Sequence, residues 1–130
     1  MNAKARVVIE YMKNNLHQSL TVHHLAQRAG LSRSRLSHLF ACELGMPPAR
    51  FLKLLKLQKS SVLLETSLLS VKEISAKVGY QYGHHFMRDF RKAYGMTPSE
   101  YRAHHAIVAT SAEHAATRID SSGDQHPDQA

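Results

Sequence analysis

Histidine and cysteine are the residues of this chain whose side chains could bind a metal ion or act as nucleophiles. The chain has ten histidines and one cysteine, Cys42. A single cysteine can form neither a Cys–Cys ligand pair nor an intrachain disulfide, and the sequence has no H-E-x-x-H motif. Three pairs of histidines are adjacent, and we expect the two members of each pair to point to different faces of a helix. These pairs are His23-His24, His84-His85 and His104-His105.

These residues therefore predict no catalytic group, no metal ion and no cofactor, and nothing in them indicates an enzyme. We expect Cys42 to be packed within a helix. The lack of a disulfide fits a reducing cytoplasm. No apolar run is long enough to span a membrane, and the N-terminus lacks a signal-peptide pattern, so a cytoplasmic protein is expected.

Positive charge is concentrated in the first four fifths of the chain. The net charge is +7, but residues 1–105 carry 16 Lys and Arg against six Asp and Glu, a balance of +10. Residues 106–130 have a balance of −3. A basic surface attracts the phosphate backbone of nucleic acids, although a solubilising charged face would have the same composition.

One sequence pattern occurs twice. The first copy, 21–51, reads T-V-x-x-L-A-x-x-A-G-L, then L-S-H-L-F, then L-G-M-P-P-A-R-F. The second copy, 70–101, reads S-V-x-x-I-S-x-x-V-G-Y, then F-M-R-D-F, then Y-G-M-T-P-S-E-Y. The offset is 49 residues before the glycine and 50 after it, so the second copy has one extra turn residue. Each copy has the pattern of a helix-turn-helix, a unit that places a helix in a DNA groove.

The periodicity of apolar residues predicts an all-α fold of about seven helices, with two helix-turn-helix subdomains joined by a long linker helix. We expect the DNA-binding domain to cover 3–105, divided into a first unit (3–46), the linker (48–66) and a second unit (70–105). Residues 106–130 are expected to form a disordered acidic tail. The predicted helices are Ala3–Asn15, Val22–Ala29, Arg33–Leu44, Ala49–Glu65, Val71–Lys77, Tyr82–Tyr94 and a short last helix capped by Thr97.

The two helices of a helix-turn-helix must pack closely around a sharp turn. In the first copy, Leu25 and Ala29 face Leu36 and Leu39, while Gly30 permits the turn. The second copy meets most of these requirements, but Asp89 aligns with Leu39 and is not apolar. The apolar positions of the linker include Phe51, Leu52, Leu55, Val62 and Leu63, and Tyr101 is expected to pack back on the core.

These runs resemble the DNA-binding domain of the bacterial AraC/XylS transcription regulators, which has two helix-turn-helix units joined by a long helix. The resemblance covers roughly residues 5–105. It is most specific in H-F-M-R-D-F-R-K-A-Y-G-M-T-P-S-E-Y-R, residues 85–102, and is also clear in A-x-x-A-G-L-S-R-S-R-L-S-H-L-F. Three residues depart from the family pattern, and they bear on the affinity or base preference of the second unit. They are His85, Met87 and Asp89.

The resemblance implies that Arg33–Leu44 and Tyr82–Tyr94 are the recognition helices, which read base edges from their N-terminal halves. Arg33 and Arg88 are the sharpest candidates, because arginine can donate two hydrogen bonds to guanine. A phosphate contact or a solvated charge is the alternative for either arginine. The implied base-reading residues are Arg33, Ser34, Ser37 and His38 in the first unit, and Gln81, Tyr82, His84, Met87 and Arg88 in the second.

A second group of polar and basic residues is expected to contact DNA phosphates. Three of them are helix caps whose role could be capping alone, and Arg35 could reach either a base or a phosphate. A solvated helix face is an equal alternative to DNA contact for Lys53, Lys56 and Lys59. The expected phosphate contacts are Thr21, Ser32, Arg35, Ser70, Arg91 and Lys92.

The spacing of the units predicts how the chain engages DNA. A linker of roughly 17 residues would be about 25 Å long. With the radii of the two units, it could separate the recognition helices by about one DNA turn, ~34 Å. We therefore expect a monomer that binds double-stranded DNA at an asymmetric site, and a rigid linker would require the DNA to bend.

Two classes of function follow from these residues. The first is a sequence-specific transcription regulator, which the resemblance implies to be an activator that contacts RNA polymerase. The alternative is a helical protein-interaction module, such as an antagonist of a related regulator, without specific DNA binding. Because Met1 lies almost directly before the first predicted helix, no effector or dimerisation domain is expected within this sequence. The sequence fits either a single-domain regulator or the C-terminal part of a longer one.

Overall fold

The computed structural model describes residues 1–106, and these residues form helices and no strands. The all-α prediction is confirmed. The predicted acidic tail lies outside the described residues, apart from residue 106, which is helical. The helices are α1 (Ala3–Asn14), α2 (Val22–Ala29), α3 (Arg33–Leu44), α4 (Pro48–Thr66), α5 (Val71–Lys77), α6 (Gly83–Tyr94) and α7 (98–106).

Helix boundaries lie within one residue of those predicted, and the N-termini follow the expected capping residues at α2, α3 and α5 but not at α6. Thr21, Ser32 and Ser70 accept hydrogen bonds from backbone N–H groups in the first turns of α2, α3 and α5. The exception is Tyr82, predicted as the first residue of its helix. Tyr82 has extended backbone angles (φ −123°, ψ 129°), so α6 begins at Gly83. Its side chain supplies no capping bond.

Two hydrophobic clusters form the core, and α4 contributes to both. The first cluster, built from α1 to α4, includes Leu52 of α4. The second, built from α4 to α7, includes Leu57 and Leu64 of α4. The apolar positions of α4 are not all buried, since Val62 is 49% exposed. This helix has apolar residues on several faces because it is shared by two cores.

The last helix packs back onto the second cluster, as predicted for Tyr101. The ring of Tyr101 lies 5.4 Å from that of Phe90 and 5.3 Å from that of Tyr94, and its hydroxyl donates to Glu65 of α4. Arg102 donates from Nε to the Leu64 carbonyl (3.1 Å) and from a terminal nitrogen to the Ser67 carbonyl (3.2 Å). These bonds satisfy carbonyl groups at the C-terminal end of α4.

The two units also touch each other directly at Gly79. A methyl group on Gly79 would lie 2.0 Å from the carbonyl oxygen of Leu16 and 3.4 Å from that of Gln18, both in the connection between α1 and α2. Lys56 of α4 donates to the carbonyl of Gly79 (3.4 Å), and its ammonium lies 5.4 Å from the centre of the Tyr80 ring. The two units and the linker helix therefore meet at this turn.

We expect substitution of Gly79 to be more damaging than substitution of any glycine that needs only a left-handed backbone. Gly30 (φ +69°) provides the matched control, because a methyl group there would meet no atom within 4 Å. Gly30→Ala should lower the free energy of unfolding by about 1 kcal/mol. Gly79→Ala should lower it by about 2 kcal/mol more, since backbone must also shift. Urea unfolding followed by circular dichroism measures both, and equal losses would contradict the close packing.

Candidate nucleic-acid interface

The turn of the first unit orients α3 through a glycine and a serine. Gly30 takes up left-handed angles (φ 69°, ψ 33°), which ends α2, and the N–H of Leu31 donates to the Ala26 carbonyl at 2.9 Å. Ser32 then accepts from the N–H of Arg35 at 3.1 Å. Leu25, Ala26 and Leu36 are buried at the contact between α2 and α3. Leu39, which aligns with Asp89 of the second unit, is only partly buried.

The second unit repeats this turn with one more residue. The N–H of Tyr80 donates to the Ser75 carbonyl at 3.0 Å, as Leu31 does to Ala26 in the first unit. Gly79 has φ +90°, and the inserted residue lies before the start of α6. Because Tyr82 provides no side-chain cap, the entry to α6 is less constrained by local hydrogen bonds than the entry to α3.

The predicted reading face of α3 is accessible. Leu36 and Phe40 are buried on one side of the helix, and most of the predicted polar residues are exposed. Cys42 is also exposed, with its Sγ 3.6 Å from Nε2 of His38, so the prediction that this cysteine is packed is wrong. Among the predicted DNA contacts of this unit, Thr21, Ser32, Arg33, Ser34, Arg35 and His38 are exposed and Ser37 is partly buried.

The predicted reading face of α6 is accessible as well. Phe86 and Phe90 are buried towards the second core. The predicted contacts on the opposite side, Gln81, Tyr82, His84, Met87, Arg88, Arg91 and Lys92, are all exposed. Several of these residues line an open groove of about 740 Å³ between α6 and the start of α7. The groove is lined by Gly83, His84, Met87, Arg88, Arg91, Lys92 and Thr97.

The expectation that adjacent histidines point to different faces of a helix is wrong for His84 and His85. The rings of His84 and His85 do not diverge but lie 4.3 Å apart, and both are within 6 Å of the Tyr82 ring. At the first turn of α6 the preceding tyrosine provides a surface against which both imidazoles pack. Within residues 1–106, no group of three or more His, Cys, Asp or Glu side chains is placed to hold a metal ion.

Asp89, the polar residue at an otherwise apolar position of the repeated pattern, is buried, and both of its carboxylate oxygens accept hydrogen bonds. Its carboxylate accepts from the hydroxyl of Tyr80 (2.9 Å) and from Nε of Arg88 (3.2 Å), and the ammonium of Lys53 lies 3.9 Å away. Burial and the bond to Asp89 raise the pKa of Tyr80, so this hydroxyl stays protonated as a donor. Sequence reasoning missed Tyr80, although its partner stands at the anomalous position of the second copy.

The linker lysines differ from one another in environment. Lys53 and Lys56 point to the second unit, at Asp89 and Gly79 respectively, and burial lowers the pKa of Lys56. Lys59 is exposed. Of the two environments weighed for these lysines, the solvated face does not apply to Lys56, which is half-buried because this part of α4 packs against the second turn.

The three capping residues differ in the charge beside them. Ser70 forms a capping box in which Glu73 accepts from the Ser70 N–H at 2.8 Å, and this bond lowers the pKa of Glu73. That carboxylate would repel a phosphate. Ser32 instead has Arg35 at the corresponding position, and Thr21 has His24. Phosphate binding by all three stays a prediction, and the local charge favours Ser32 and Thr21 over Ser70.

The architecture defines a protein with two helix-turn-helix units on a shared linker helix. A family model described as a helix-turn-helix domain matches residues 25–104. The arabinose operon regulatory protein of Salmonella typhimurium is 32% identical over 104 residues, which are 79% of this chain and 37% of that protein. The lactose operon transcription activator of Staphylococcus xylosus is 29% identical over 107 residues, which are 82% of this chain and 38% of that protein.

A solved structure with bound DNA shares the fold. It is the DNA-binding domain of AdpA, a global transcriptional factor, in complex with a target DNA. The two structures match with a TM-score of 0.75 and 29% identity over 78% of this chain and 92% of that chain.

This chain belongs to the AraC/XylS-type family of helix-turn-helix, DNA-binding transcription regulators. It spans less than two fifths of the length of the two curated relatives described above. Within residues 1–106, no helix is both long and apolar enough to cross a lipid bilayer.

Substitution of Ser32 by aspartate tests whether this residue only caps α3 or also contacts a DNA phosphate. Ser32→Asp should leave the free energy of unfolding nearly unchanged, because aspartate caps helices as well as serine does. If a phosphate approaches this cap, the added charge should weaken DNA binding by about fivefold to tenfold at low salt. Ser70→Asp is the matched control and should have a smaller effect. Equal affinities of Ser32→Asp and the unsubstituted protein would assign Ser32 to capping alone.

Proposed function

We propose that this chain is the DNA-reading part of a transcription activator that engages two successive major grooves as a monomer. The observation that carries the proposal is the direct contact of the two units at Gly79, together with their shared helix α4. This contact favours two readers with a fixed relative orientation, each with an exposed polar face. The DNA-bound neighbour supports DNA over a purely protein partner.

In the proposed mechanism, α3 and α6 each enter a major groove with their N-terminal halves. The first unit reads base edges with Arg33, Ser34, Ser37 and His38, and the second with Gln81, Tyr82, His84, Met87 and Arg88. Phosphates are held by Thr21, Ser32, Arg35, Arg91 and Lys92, and Ser70 is the weakest of the predicted phosphate contacts because the Glu73 carboxylate lies beside it. The exposure of nearly all these side chains supports the assignment, and the basic groove beside α6 suits a phosphate backbone.

Activation is proposed from the relatives, because the Staphylococcus xylosus protein carries the name of a transcription activator. An activator acts by contact with RNA polymerase at the promoter, so RNA polymerase is the proposed protein partner. The proposed place of action is the bacterial cytoplasm, since the target DNA lies there. The proposed unit division is 3–46, 48–66 and 70–105.

The test of bipartite reading is selection from a pool of random DNA sequences at two salt concentrations. The expected result is an asymmetric site with two short blocks about one DNA turn apart. Enrichment of a single block would overturn bipartite reading and leave one unit as a backbone clamp. Salt-sensitive binding without enrichment would reduce the chain to a nonspecific DNA binder, and no binding would favour the protein-partner alternative.

Base readers and phosphate contacts should respond differently to substitution. Arg33→Ala and Arg88→Ala should each weaken binding to the selected site by about tenfold and relax one base position. Lys92→Ala should weaken binding equally for all DNA sequences. It should also reduce by about one the slope of log affinity against log salt concentration. Titration of the selected site and of single-base variants separates the two patterns. A uniform loss with Arg88→Ala would instead make Arg88 a phosphate contact.

A further inference from the structure

The buried carboxylate of Asp89 is the feature of the second unit that neither the helix-turn-helix pattern nor the core explains. The residue is 8% exposed and stands where the first unit has Leu39. Removing a carboxylate from water is costly unless it is paired and hydrogen-bonded. A leucine would satisfy the packing requirement without that cost, so packing alone gives no reason for an aspartate.

The groups that satisfy Asp89 come from three different elements. Tyr80 belongs to the turn, Arg88 to the recognition helix α6, and Lys53 to the linker helix α4. Each carboxylate oxygen has its own donor, since Oδ2 accepts from Tyr80 and Oδ1 from Arg88. Lys53 lies on the Oδ2 side, at 3.9 Å. The aspartate thus ties the reading helix to the element that both units share.

The bond to Arg88 also restricts how its guanidinium can be used. Asp89 engages Nε, while the Arg88 side chain is 66% exposed. With Nε occupied, the two terminal nitrogens remain to donate, and they form a pair that fits the two acceptors of guanine.

We propose that Asp89 is a positioning residue for sequence recognition by the second unit. It holds Arg88 with its terminal nitrogens towards the base edge, and the bond from Tyr80 and the nearby ammonium of Lys53 keep the carboxylate in place for this. The proposal rests on the bipartite DNA reading proposed above and adds a specificity determinant to it. Asp89 itself lies below the surface and contacts no base.

The test is a double-mutant cycle between Asp89 and Arg88, measured on the selected site and on its single-base variants. Asp89→Leu introduces the residue that the first unit carries at this position. It should weaken binding to the selected site by about tenfold and relax the same base position as Arg88→Ala. In the Arg88→Ala background, Asp89→Leu should change affinity by less than about twofold, because the two residues act as one unit.

Effects that add in the double variant would overturn the proposal, since they would mean that Asp89 acts on fold stability and not through Arg88. An unchanged base preference in Asp89→Leu would overturn it too. Asp89→Asn provides a second variant if Asp89→Leu does not fold. It keeps the side-chain volume and an oxygen for Tyr80, and it too should relax the base position read by Arg88.

The same experiment distinguishes failure of this inference from failure of the bipartite function. If the unsubstituted protein enriches no two-block site, the proposed function fails and the positioning role fails with it. If two blocks are enriched and Arg88→Ala leaves the base preference unchanged, bipartite reading stands and the role of Asp89 is overturned. If Arg88→Ala relaxes one base and Asp89→Leu does not, only the positioning role is lost.

Discussion

The close approach of Gly79 to the Leu16 carbonyl is the constraint on which the arrangement of the two units depends. No side chain fits between these backbone segments, since even a methyl group would lie 2.0 Å from the Leu16 oxygen. The turn of the second unit is therefore also the docking surface for the first. Lys56 donates to the carbonyl of the same glycine, so the linker helix is fixed at this point as well.

The length of the linker helix suggests a spacer between two separate modules, but this contact shows that the two units are packed together. A free helix of 19 residues would be a strut roughly 28 Å long between two separate modules. Here Leu52 belongs to one core, Leu57 and Leu64 belong to the other, and Lys53 lies beside the buried Asp89. The helix is a structural part of both units, and their relative orientation follows from side-chain packing on it.

Much of the fold could be predicted from the sequence because local signals and core packing agree. Ser32, Ser70 and Gly30 mark helix ends by hydrogen bonding and left-handed geometry, which act within a few residues. The burial of individual apolar residues on α4, such as the exposed Val62, does not follow from the sequence, because a helix with two buried faces has no single apolar stripe. Cys42 was misplaced because the prediction rested on its position within a helix alone, whereas the buried Leu36 and Phe40 lie on the other side of α3.

The candidate interface also has features that could be predicted from the sequence and features that could not. The exposed polar faces of α3 and α6 follow from helical periodicity once the buried positions are known. The tie between Asp89, Tyr80 and Lys53 could not be predicted, because it joins residues of three elements and depends on how α4 and α6 pack. The sequence marked Asp89 as anomalous, and only the fold supplies its partners.

The two cores on α4 also set a limit on how this protein can vary. At 100° per residue, Leu57 is turned by about 140° from Leu52 around the helix axis, and Leu64 returns to within about 20° of Leu57. Inserting or deleting one residue between Leu52 and Leu57 would rotate one hydrophobic face by about 100° away from its core. Exposed positions such as Leu54 and Val62 can accept other side chains. The number of residues between the two cores on α4 therefore cannot change, whereas the exposed residues on the outer surface of this helix can.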